Sequence, residues 1–259
     1  MTTVSGRAEP APPARATLLE LHAGGLRFLT DPGARDRGVL VAFSDRNGGV
    51  SDAPFDTLNV SRSVGDPDQA ATNRERVAAA LGFDVGSLAH VRQVHGAEVI
   101  EVAAGCTGAQ GAGDGLVARN QGVVCGVLTA DCVPVLLEGR AGVAALHAGW
   151  RGLVAGVLER GVEEVGPVAA AWIGPSIHAC CYEVGDDVTG AFTRAGLPVA
   201  GPRRVDPSAA ALAALQRAGV TNIARSEDCA SCGSNYFSYR RDGETGRQGA
   251  FVSLVESAP

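Results

Sequence analysis

Short runs of apolar residues alternate along the chain with stretches in which apolar residues recur at helical spacing. Apolar runs of strand length predict buried strands, and recurrence every three or four residues predicts helices. The predicted strands cover residues 26–29, 39–43, 91–94, 98–102, 123–129, 133–137, 143–146, 168–173, 222–224 and 251–254. The predicted helices cover residues 68–81, 153–165, 186–195 and 207–218, and the Gly-rich residues 105–113 are expected to form a surface loop. Because the strands come in pairs interrupted by helices, the pattern predicts an α+β fold with layered mixed or antiparallel sheets flanked by helices.

Residues 128–151, LTADCVPVLLEGRAGVAALHAGWR, contain two residues that can bind a metal, Cys132 and His147. A hairpin turn at residues 138–142 would pair the strands on either side and bring Cys132 and His147 close together in space. His95 lies upstream in RQVHGAEV, at or near a turn between two predicted strands. One cysteine and two histidines form a zinc-type ligand set, and three protein ligands leave a fourth position open. Taken singly, each residue would more often be structural, and the spacing matches no short zinc-finger pattern.

The composition limits the classes of protein to which the chain can belong. The formal net charge is −6 at pH 7, so a strongly basic nucleic-acid surface is not expected. Residues 1–15 are polar and rich in Pro and Ala, which predicts a disordered tail before a single domain over residues 16–259. Neither a secretory signal nor an apolar run long enough for a membrane helix is evident. We therefore expect a cytoplasmic protein with reduced thiols and no membrane partner.

All 22 basic side chains of the sequence are arginines. The lack of lysine excludes Schiff-base chemistry and a Walker-type lysine, so an anion would be held by arginine, backbone amides or a metal. Arg46 lies on the Gly-rich turn at residues 45–49, and Arg151 lies just before a predicted helix. We therefore take both arginines as candidates for binding an anion or a substrate. Asp131, next to Cys132, is a candidate for proton transfer, with capping of a strand end as the alternative.

The sequence contains seven cysteines, an odd number. Cys229 and Cys232 form a CxxC motif in a loop rich in Ser and Gly. Because a single such pair is weak evidence for structural zinc, we expect that these two residues bind no metal. Cys180 and Cys181 are adjacent, which favours packed thiols over a strained disulfide. Cys125, inside an apolar run, is expected to be a small buried hydrophobic residue.

Several longer motifs occur in order along most of the chain. They are RNGGVS, LNVS, GDPDQAATNRERV, QVHGAEV, DGLV, TADCVPVLL, ALHAGWRGLVAG, IGPSIHACCYEVG and FSYRRDGETGRQG. Together they closely resemble the YfiH-like family, which is also called the laccase-domain or multicopper polyphenol oxidase family. Members of that family are described as purine nucleoside phosphorylases. The resemblance extends from about residue 43 to residue 254, and the chain departs from the family pattern at SIHA and at GPRRVDPSA.

The resemblance implies a fold, a cofactor and an activity. It implies a layered YfiH-like α+β fold with Zn²⁺ in a pocket, and it places the zinc ligands of the family on His95, Cys132 and His147. It also implies phosphorolysis of adenosine, inosine, guanosine and S-methyl-5′-thioadenosine, together with adenosine deamination. Purine nucleosides and phosphate are then the expected partners.

The same resemblance implies roles for individual residues. Cys132, His147 and Asp131 become the candidate catalytic residues. Arg46, which falls on the arginine of the R-x-GG-V-S motif, becomes the candidate for binding phosphate, and Arg151 remains a candidate for binding the substrate. In deamination, a zinc ion would activate water for attack on the adenine ring.

Three other functions stay open from the residues alone. Copper also binds histidine and cysteine tightly, but five histidines in the whole sequence are few for a multicopper phenol oxidase, so zinc is favoured over copper. A metal-free cysteine hydrolase would use Cys132 as the nucleophile and His147 as the base. A protein without enzymatic activity would use the metal only to stabilise an interaction module.

Overall fold

The structure of the protein, a computed structural model, describes residues 15–256. All but the last residue of the predicted tail, residues 1–15, therefore lie outside the described residues. Within the described part of the chain, no helix is both long enough and apolar enough to cross a membrane. The strands form two mixed sheets, of seven and of six strands. This arrangement confirms the predicted α+β class with layered sheets.

The first sheet contains the chain segments nearest the two ends of the described residues. Its strands are β1 (Leu19–Ala23), β2 (Leu26–Thr30), β3 (Val39–Ser44), β4 (Leu88–Arg92), β6 (Gly108–Ala112), β8 (Val124–Thr129) and β13 (Gln248–Leu254). Their order across the sheet is β1-β2-β3-β13-β8-β4-β6. Strand β4 runs parallel to both of its neighbours, whereas the other pairs are antiparallel.

The second sheet is built around the central hairpin of the chain. Its strands are β5 (Val99–Val102), β7 (Gly115–Ala118), β9 (Val133–Gly139), β10 (Gly142–Ala148), β11 (Val168–Ile173) and β12 (Ile223–Arg225). Their order is β12-β11-β9-β10-β7-β5. The two outer pairs, β11 with β12 and β5 with β7, are parallel, and the inner pairs are antiparallel.

The helices lie between the strands in sequence. They are α1 (Pro32–Asp36), α2 (Pro67–Leu81), α3 (Trp150–Ala155), α4 (Val157–Val165), α5 (Asp186–Arg194), α6 (Pro207–Arg217) and α7 (Tyr239–Asp242), with a 3₁₀ turn at Val85–Ser87. The side chain of Asp66 caps α2 and Pro67 opens it, while Gly82 ends it in a left-handed conformation. Asp and Pro at the start and Gly at the end are the residues that these positions favour.

The two sheets pack face to face, and helices cover both outer faces. Phe43 of the first sheet and Trp172 of the second are buried in the core between the sheets. Leu158 of α4 lies in a second core, which forms where α4, α5 and α6 pack on the second sheet. Val77 of α2 and Phe251 lie in a third core on the outer face of the first sheet. Strands β3 and β10 are therefore buried on both sides along their whole length, whereas Val94, in a predicted strand, is exposed.

The hairpin predicted around residues 138–142 is present. Strands β9 and β10 pair antiparallel, and His147 lies opposite Pro134. Cys132 directly precedes β9, and His147 is the second-last residue of β10. The hairpin therefore carries both residues to the same end of the second sheet, as predicted.

Two predicted elements differ in the structure, and one connection crosses between the sheets. Residues 108–112 of the predicted Gly-rich loop form the edge strand β6, because pairing with β4 uses only backbone groups. The helix predicted at residues 153–165 is two helices, because Gly156 has a φ of 86° and separates α3 from α4. The two strands predicted on either side of Cys132 belong to different sheets, β8 to the first and β9 to the second, so residues 130–132 cross between the sheets.

The long connection from β3 to α2, residues 45–66, is held by one buried side chain, Asn73 of α2. Its amide nitrogen donates to the carbonyl oxygens of Thr57 and Asn59 at 3.0 and 2.8 Å. Its amide oxygen accepts from the backbone N–H of Val50 at 2.9 Å. Because both ends of the amide are used, the connection depends on an asparagine at this position.

We predict that Asn73→Asp destabilises the fold although it conserves the size of the side chain. The carboxylate would replace an N–H donor with an acceptor that faces two carbonyl oxygens. Leaving such buried groups unsatisfied costs about 1–3 kcal/mol of the free energy of unfolding. Urea denaturation measures the loss, with Asn120→Asp on the surface as the matched control. Identical denaturation midpoints for the two variants would contradict the role of Asn73.

Candidate metal centre

Three potential metal ligands converge at the end of the β9–β10 hairpin. His95, Cys132 and His147 each offer one ligand atom, and these atoms all lie within 4.8 Å of one another. The rings of His95 and His147 meet edge to face, with their centres 4.9 Å apart. His147 is buried, Cys132 is half-buried and His95 is exposed. The structure thus brings together the three residues predicted as ligands, and two imidazoles with one thiol match the donor set of a zinc site with an open position.

Asp114, which the sequence analysis did not single out, holds both histidines. It is fully buried, and its Oδ1 lies 2.8 Å from Nδ1 of His147. The same oxygen accepts from the backbone N–H of His95 at 2.9 Å. Its Oδ2 accepts from the backbone N–H groups of Val94 and Gly96 at 3.2 and 2.6 Å. With Nδ1 of His147 directed at a carboxylate, Nε2 is the nitrogen left for a metal, which is the usual arrangement of a metal-binding histidine.

The electrostatics of the centre favour a thiolate at Cys132. Burial alone would raise the pKa of the Cys132 thiol, but His147 and His95 outweigh burial and lower that pKa. Burial also opposes the charged form of His147, yet Cys132 and Asp114 together raise its pKa. Burial would raise the pKa of Asp114 as well, but hydrogen bonds from His147 and the backbone hold it below its usual value. The thiolate is the form of cysteine that binds metals.

Two residues of the centre have a left-handed backbone, which is uncommon for residues other than glycine. The φ angles are 59° at His95 and 90° at Asp131. The carboxylate of Asp131 accepts from the hydroxyl of Ser238 and from the backbone N–H of Arg240, both at 2.6 Å. Burial raises the pKa of Asp131, although these hydrogen bonds oppose the rise. Both oxygens of Asp131 are thus engaged in fixing the crossing beside Cys132, and its role in proton transfer stays a prediction.

Gly149 makes room for the ligands where β10 turns into α3. A Cβ atom at this position would collide with Nδ1 of His95 and would lie 3.4 Å from Sγ of Cys132. The helix start can therefore approach the two ligands only because residue 149 has no side chain. The backbone here requires glycine for space and not for its conformation, since φ is −68°.

The three ligands lie in the wall of a pocket of about 630 Å³. The same wall carries three aromatic and four arginine side chains: Trp150, Tyr182, Tyr239, Arg92, Arg151, Arg240 and Arg247. A pocket of this size suits a small molecule, and its lining offers both flat apolar surfaces and positive charge. Asp131 also lines this pocket.

The two arginines predicted to bind an anion occupy different places. Arg151 lines the pocket, and its guanidinium lies 4.3 Å from the centre of the Trp150 ring. Arg46 is not among the residues that line the pocket. Its Nε donates to the carbonyl of Asp56 at 2.8 Å, and its guanidinium lies 3.2 Å from the carboxylate of Asp56 and 3.6 Å from that of Asp242. Arg46 is therefore anchored by Asp56 and Asp242, and its role in phosphate binding stays a prediction.

Arg247 is a pocket arginine that the sequence analysis did not single out. It is half-buried, and burial lowers its pKa. Its guanidinium donates to the carbonyl oxygens of Thr245 and Gly246 at 2.7 and 2.8 Å. Within residues 15–256, no carboxylate forms an ion pair with Arg247. Its positive charge is thus available to a ligand in the pocket. In the sequence, only its place in the FSYRRDGETGRQG motif indicated that Arg247 could be functional.

Comparison with known proteins places the chain in a family. Residues 40–255 match the family model described as multi-copper polyphenol oxidoreductase laccase. The chain belongs to this laccase-domain family. A purine nucleoside phosphorylase of Deinococcus radiodurans is 40% identical to this laccase-domain chain over 248 residues, which cover 90% of the chain and 95% of the relative. Purine nucleoside phosphorylase YfiH of Escherichia coli is 39% identical over 233 residues, 85% of this chain and 95% of the relative.

Two solved structures share the laccase-domain fold seen here. YlmD from Geobacillus stearothermophilus matches with a TM-score of 0.83 and 31% identity, over 93% of this chain and 100% of that chain. Hypothetical protein YfiH of Bacillus licheniformis matches with a TM-score of 0.81 and 28% identity, over 88% of this chain and 96% of that chain. These matches confirm the family resemblance and the fold predicted from the motifs.

We predict that Asp114→Asn weakens zinc binding, because the amide cannot accept all the hydrogen bonds that orient the two histidines. Loss of such an outer partner typically costs about 10–100-fold in metal affinity. Titration of zinc into chelator-treated protein measures the affinity, and Asp36→Asn on the surface is the matched control. An unchanged affinity in Asp114→Asn would show that the carboxylate does not support a metal site.

We predict that Gly149→Ala displaces His95 and lowers the zinc content of the purified protein. Overpacking of this kind costs about 1–3 kcal/mol of stability, so the variant should also unfold at lower denaturant concentration. Gly190→Ala, at a half-buried position of α5 where a Cβ would meet only the end of the Arg194 side chain, is the control and should keep the metal. Full zinc content and unchanged stability in Gly149→Ala would mean that His95 does not bind where the structure places it.

Proposed function

We propose that the protein is a zinc-dependent purine nucleoside phosphorylase. The observation that carries the proposal is one pocket that combines a His/Cys/His ligand set, aromatic side chains and an arginine without an acidic partner. Such groups can bind zinc, stack against a purine and hold phosphate, respectively. The names of the relatives from Deinococcus radiodurans and Escherichia coli support the same activity.

The aromatic side chains offer two flat surfaces for a purine base. The guanidinium of Arg240 lies 4.8 Å from the centre of the Tyr182 ring. Arg151 lies over Trp150 in the same way, at 4.3 Å. Bases stack readily on aromatic rings and on guanidinium planes, and stacking accepts any purine. This arrangement suits an enzyme that acts on several purine nucleosides.

A second part of the pocket suits phosphate. Ser61 and Ser63 line the pocket, and their hydroxyl oxygens lie 2.9 Å apart. The backbone N–H of Val60 donates to the carbonyl of Arg247 at 3.0 Å, which fixes the serine segment next to this arginine. A guanidinium and two hydroxyls are good donors for a phosphate dianion. We therefore propose Arg247, Ser61 and Ser63 as the phosphate-binding groups.

In the proposed reaction, an oxygen of phosphate bonds to C1′ of the ribose while the bond from C1′ to the purine nitrogen breaks. The electron pair of that bond leaves with the base, whose nitrogen takes up the proton that the phosphate gives up, so the products are ribose 1-phosphate and a purine. Arg247 would hold the phosphate in line for attack, and Trp150 and Tyr182 would hold the base. A zinc ion bound by the His/Cys/His set would supply Lewis-acid polarisation of a substrate oxygen.

The proposal covers adenosine, inosine, guanosine and S-methyl-5′-thioadenosine as substrates, with adenosine deamination as a second activity. The family motifs support this range. In deamination, water attacks the carbon of the purine ring that carries the amino group, and the amino group leaves as ammonia. The phosphate-binding groups have no part in that reaction, so the two activities should respond differently to changes at Arg247.

A metal-free cysteine hydrolase is a second candidate, and one observation favours it. Asp114, His147 and Cys132 follow the order acid, base and nucleophile, with Asp114 2.8 Å from Nδ1 of His147. Catalytic triads use this order of groups. A nucleophile and its base need no second imidazole, however, and His95 lies within 4.8 Å of the same thiol. The second imidazole favours metal binding.

A copper phenol oxidase is the less favoured metalloenzyme. Among the described residues, His95, Cys132 and His147 form the only group of potential ligands that contains histidine. Copper centres of the imidazole type require several histidines each. The ligand set present is enough for one zinc ion.

The proposal is tested by turnover of inosine and adenosine with the zinc-loaded protein, with and without phosphate. We expect hypoxanthine, adenine and ribose 1-phosphate only when phosphate is present, and no release of base by Cys132→Ala. Release of base that needs neither zinc nor phosphate would favour the cysteine hydrolase. No release of base from any of the four nucleosides, with zinc and phosphate present, would contradict the proposed function.

We predict that Arg247→Ala impairs phosphorolysis more than deamination. A charge-assisted hydrogen bond is worth about 1.5–3 kcal/mol. Its loss corresponds to about a 10–100-fold lower kcat/KM for phosphate, at tenfold per 1.4 kcal/mol. Arg46→Ala tests the family-based candidate in the same assay, and Arg160→Ala on the surface is the control. A loss confined to Arg46→Ala would assign phosphate to Arg46, and an equal loss of both activities in Arg247→Ala would assign Arg247 to the nucleoside.

A further inference from the structure

Four cysteines outside the pocket converge in space. The Sγ atoms of Cys180, Cys181, Cys229 and Cys232 all lie within 4.8 Å of one another. They come from two loops, one between β11 and α5 and the other between β12 and α7. The expectation that Cys229 and Cys232 bind no metal assumed that no second pair was present. That assumption is wrong, because the adjacent cysteines are the second pair.

The backbone brings the two loops together independently of the sulfur atoms. Ser176 and Cys229 form a parallel bridge, and the N–H of Ala230 donates to the carbonyl of Ser176 at 2.9 Å. Within the first loop, the N–H of Cys181 donates to the carbonyl of His178 at 3.0 Å. Both cysteine pairs are therefore held in place by the fold and are organised before any ligand binds.

The sulfur positions suit a tetrathiolate better than a disulfide. Sγ of Cys232 lies 3.3 Å from Sγ of Cys180 and 3.3 Å from Sγ of Cys181, so it has no single partner. Four sulfurs at about 2.3 Å from a tetrahedral zinc ion lie about 3.8 Å from one another. Two of the observed separations are 3.3 Å and every pair lies within 4.8 Å, so small side-chain rotations would bring the four sulfurs to this spacing.

Donors around the cluster would stabilise the negative charge of four thiolates. The backbone N–H of His178 points at Sγ of Cys229, at 3.4 Å. Arg204 donates to the carbonyls of Ala179 and Cys180 at 2.8 and 3.1 Å, which holds its positive charge against the first loop. Arg241 makes similar bonds to carbonyls of the second loop. The GPRRVDPSA segment, which departs from the family pattern, thus supports the first cysteine pair through Arg204.

We propose that Cys180, Cys181, Cys229 and Cys232 bind a second zinc ion, in a closed structural site separate from the His/Cys/His centre. Structural zinc sites are four-coordinate and closed, and four cysteines are one of their common ligand sets. The two loops continue directly into the pocket wall, through Tyr182 on one side and through the Ser238 segment that holds Asp131 on the other. The second ion would fix these two walls relative to each other. This inference does not depend on the proposed enzymatic activity.

Zinc content of the reduced full-length protein tests the proposal. We expect about two equivalents of zinc per chain in the unmodified protein, and about one each in Cys132→Ala, in Cys229→Ser/Cys232→Ser and in Cys180→Ser/Cys181→Ser. Cys106→Ser, at an exposed cysteine outside the cluster, is the matched control and should keep both equivalents. One equivalent in the unmodified protein, lost only in Cys132→Ala, would overturn the second site.

Cobalt substitution of Cys132→Ala provides a second measurement that does not require the cluster variants to fold. We expect the intense thiolate-to-cobalt charge-transfer bands and the strong visible bands of a tetrahedral tetrathiolate. Their absence would overturn the proposal, as would a thiol count in the denatured, unreduced protein that shows two of the four cysteines joined in a disulfide. Neither result would contradict the His/Cys/His centre or the proposed activity. Failure of the second zinc site is therefore distinguishable from failure of the proposed function.

Discussion

The carboxylate of Asp114 accepts hydrogen bonds from Nδ1 of His147 and from three successive backbone N–H groups at residues 94–96. Those four bonds fix His147 on strand β10 of the second sheet and His95 on the loop that follows β4 of the first sheet. A buried carboxylate is stable only when it is bonded in this way, so Asp114 and its partners stabilise one another. Asp114 thus orients the imidazole of His147 directly and fixes the backbone that carries His95.

The position of Cys132, the third candidate ligand, depends on the segment around Ser238. Cys132 follows the crossing between the two sheets, and Asp131 holds that crossing through Ser238 and the backbone of Arg240. The segment that contains Ser238 also follows the CxxC loop of the four-cysteine cluster. A metal ion bound by the four cysteines would therefore hold the loops that continue into the pocket wall, while Asp114 holds the segment of residues 94–96 and His147. Both supports act on residues that line one pocket, which links the stability of the fold to the geometry of the site.

The sequence predicted the features that depend on local pattern. The β9–β10 hairpin follows from two apolar runs around a short polar turn, and Cys132 and His147 were found because they stand at strand ends. Features that depend on tertiary packing were missed. Asp114 precedes a glycine and resembles an ordinary turn residue until the fold buries it. Cys232 follows Cys180 and Cys181 by 52 and 51 residues along the chain, and the two loops meet through contacts such as the backbone bridge at Ser176.

We propose that the fold, organised by Asp114, builds a zinc site from His95, Cys132 and His147. Diffraction data from zinc-loaded crystals, collected on both sides of the zinc absorption edge, test this proposal. We expect a strong anomalous peak among the two imidazoles and the Cys132 thiolate, with Nε2 of His147 directed at the peak and Nδ1 still bonded to Asp114. Crystals that contain zinc but show no peak among these three residues would show that no zinc site forms there.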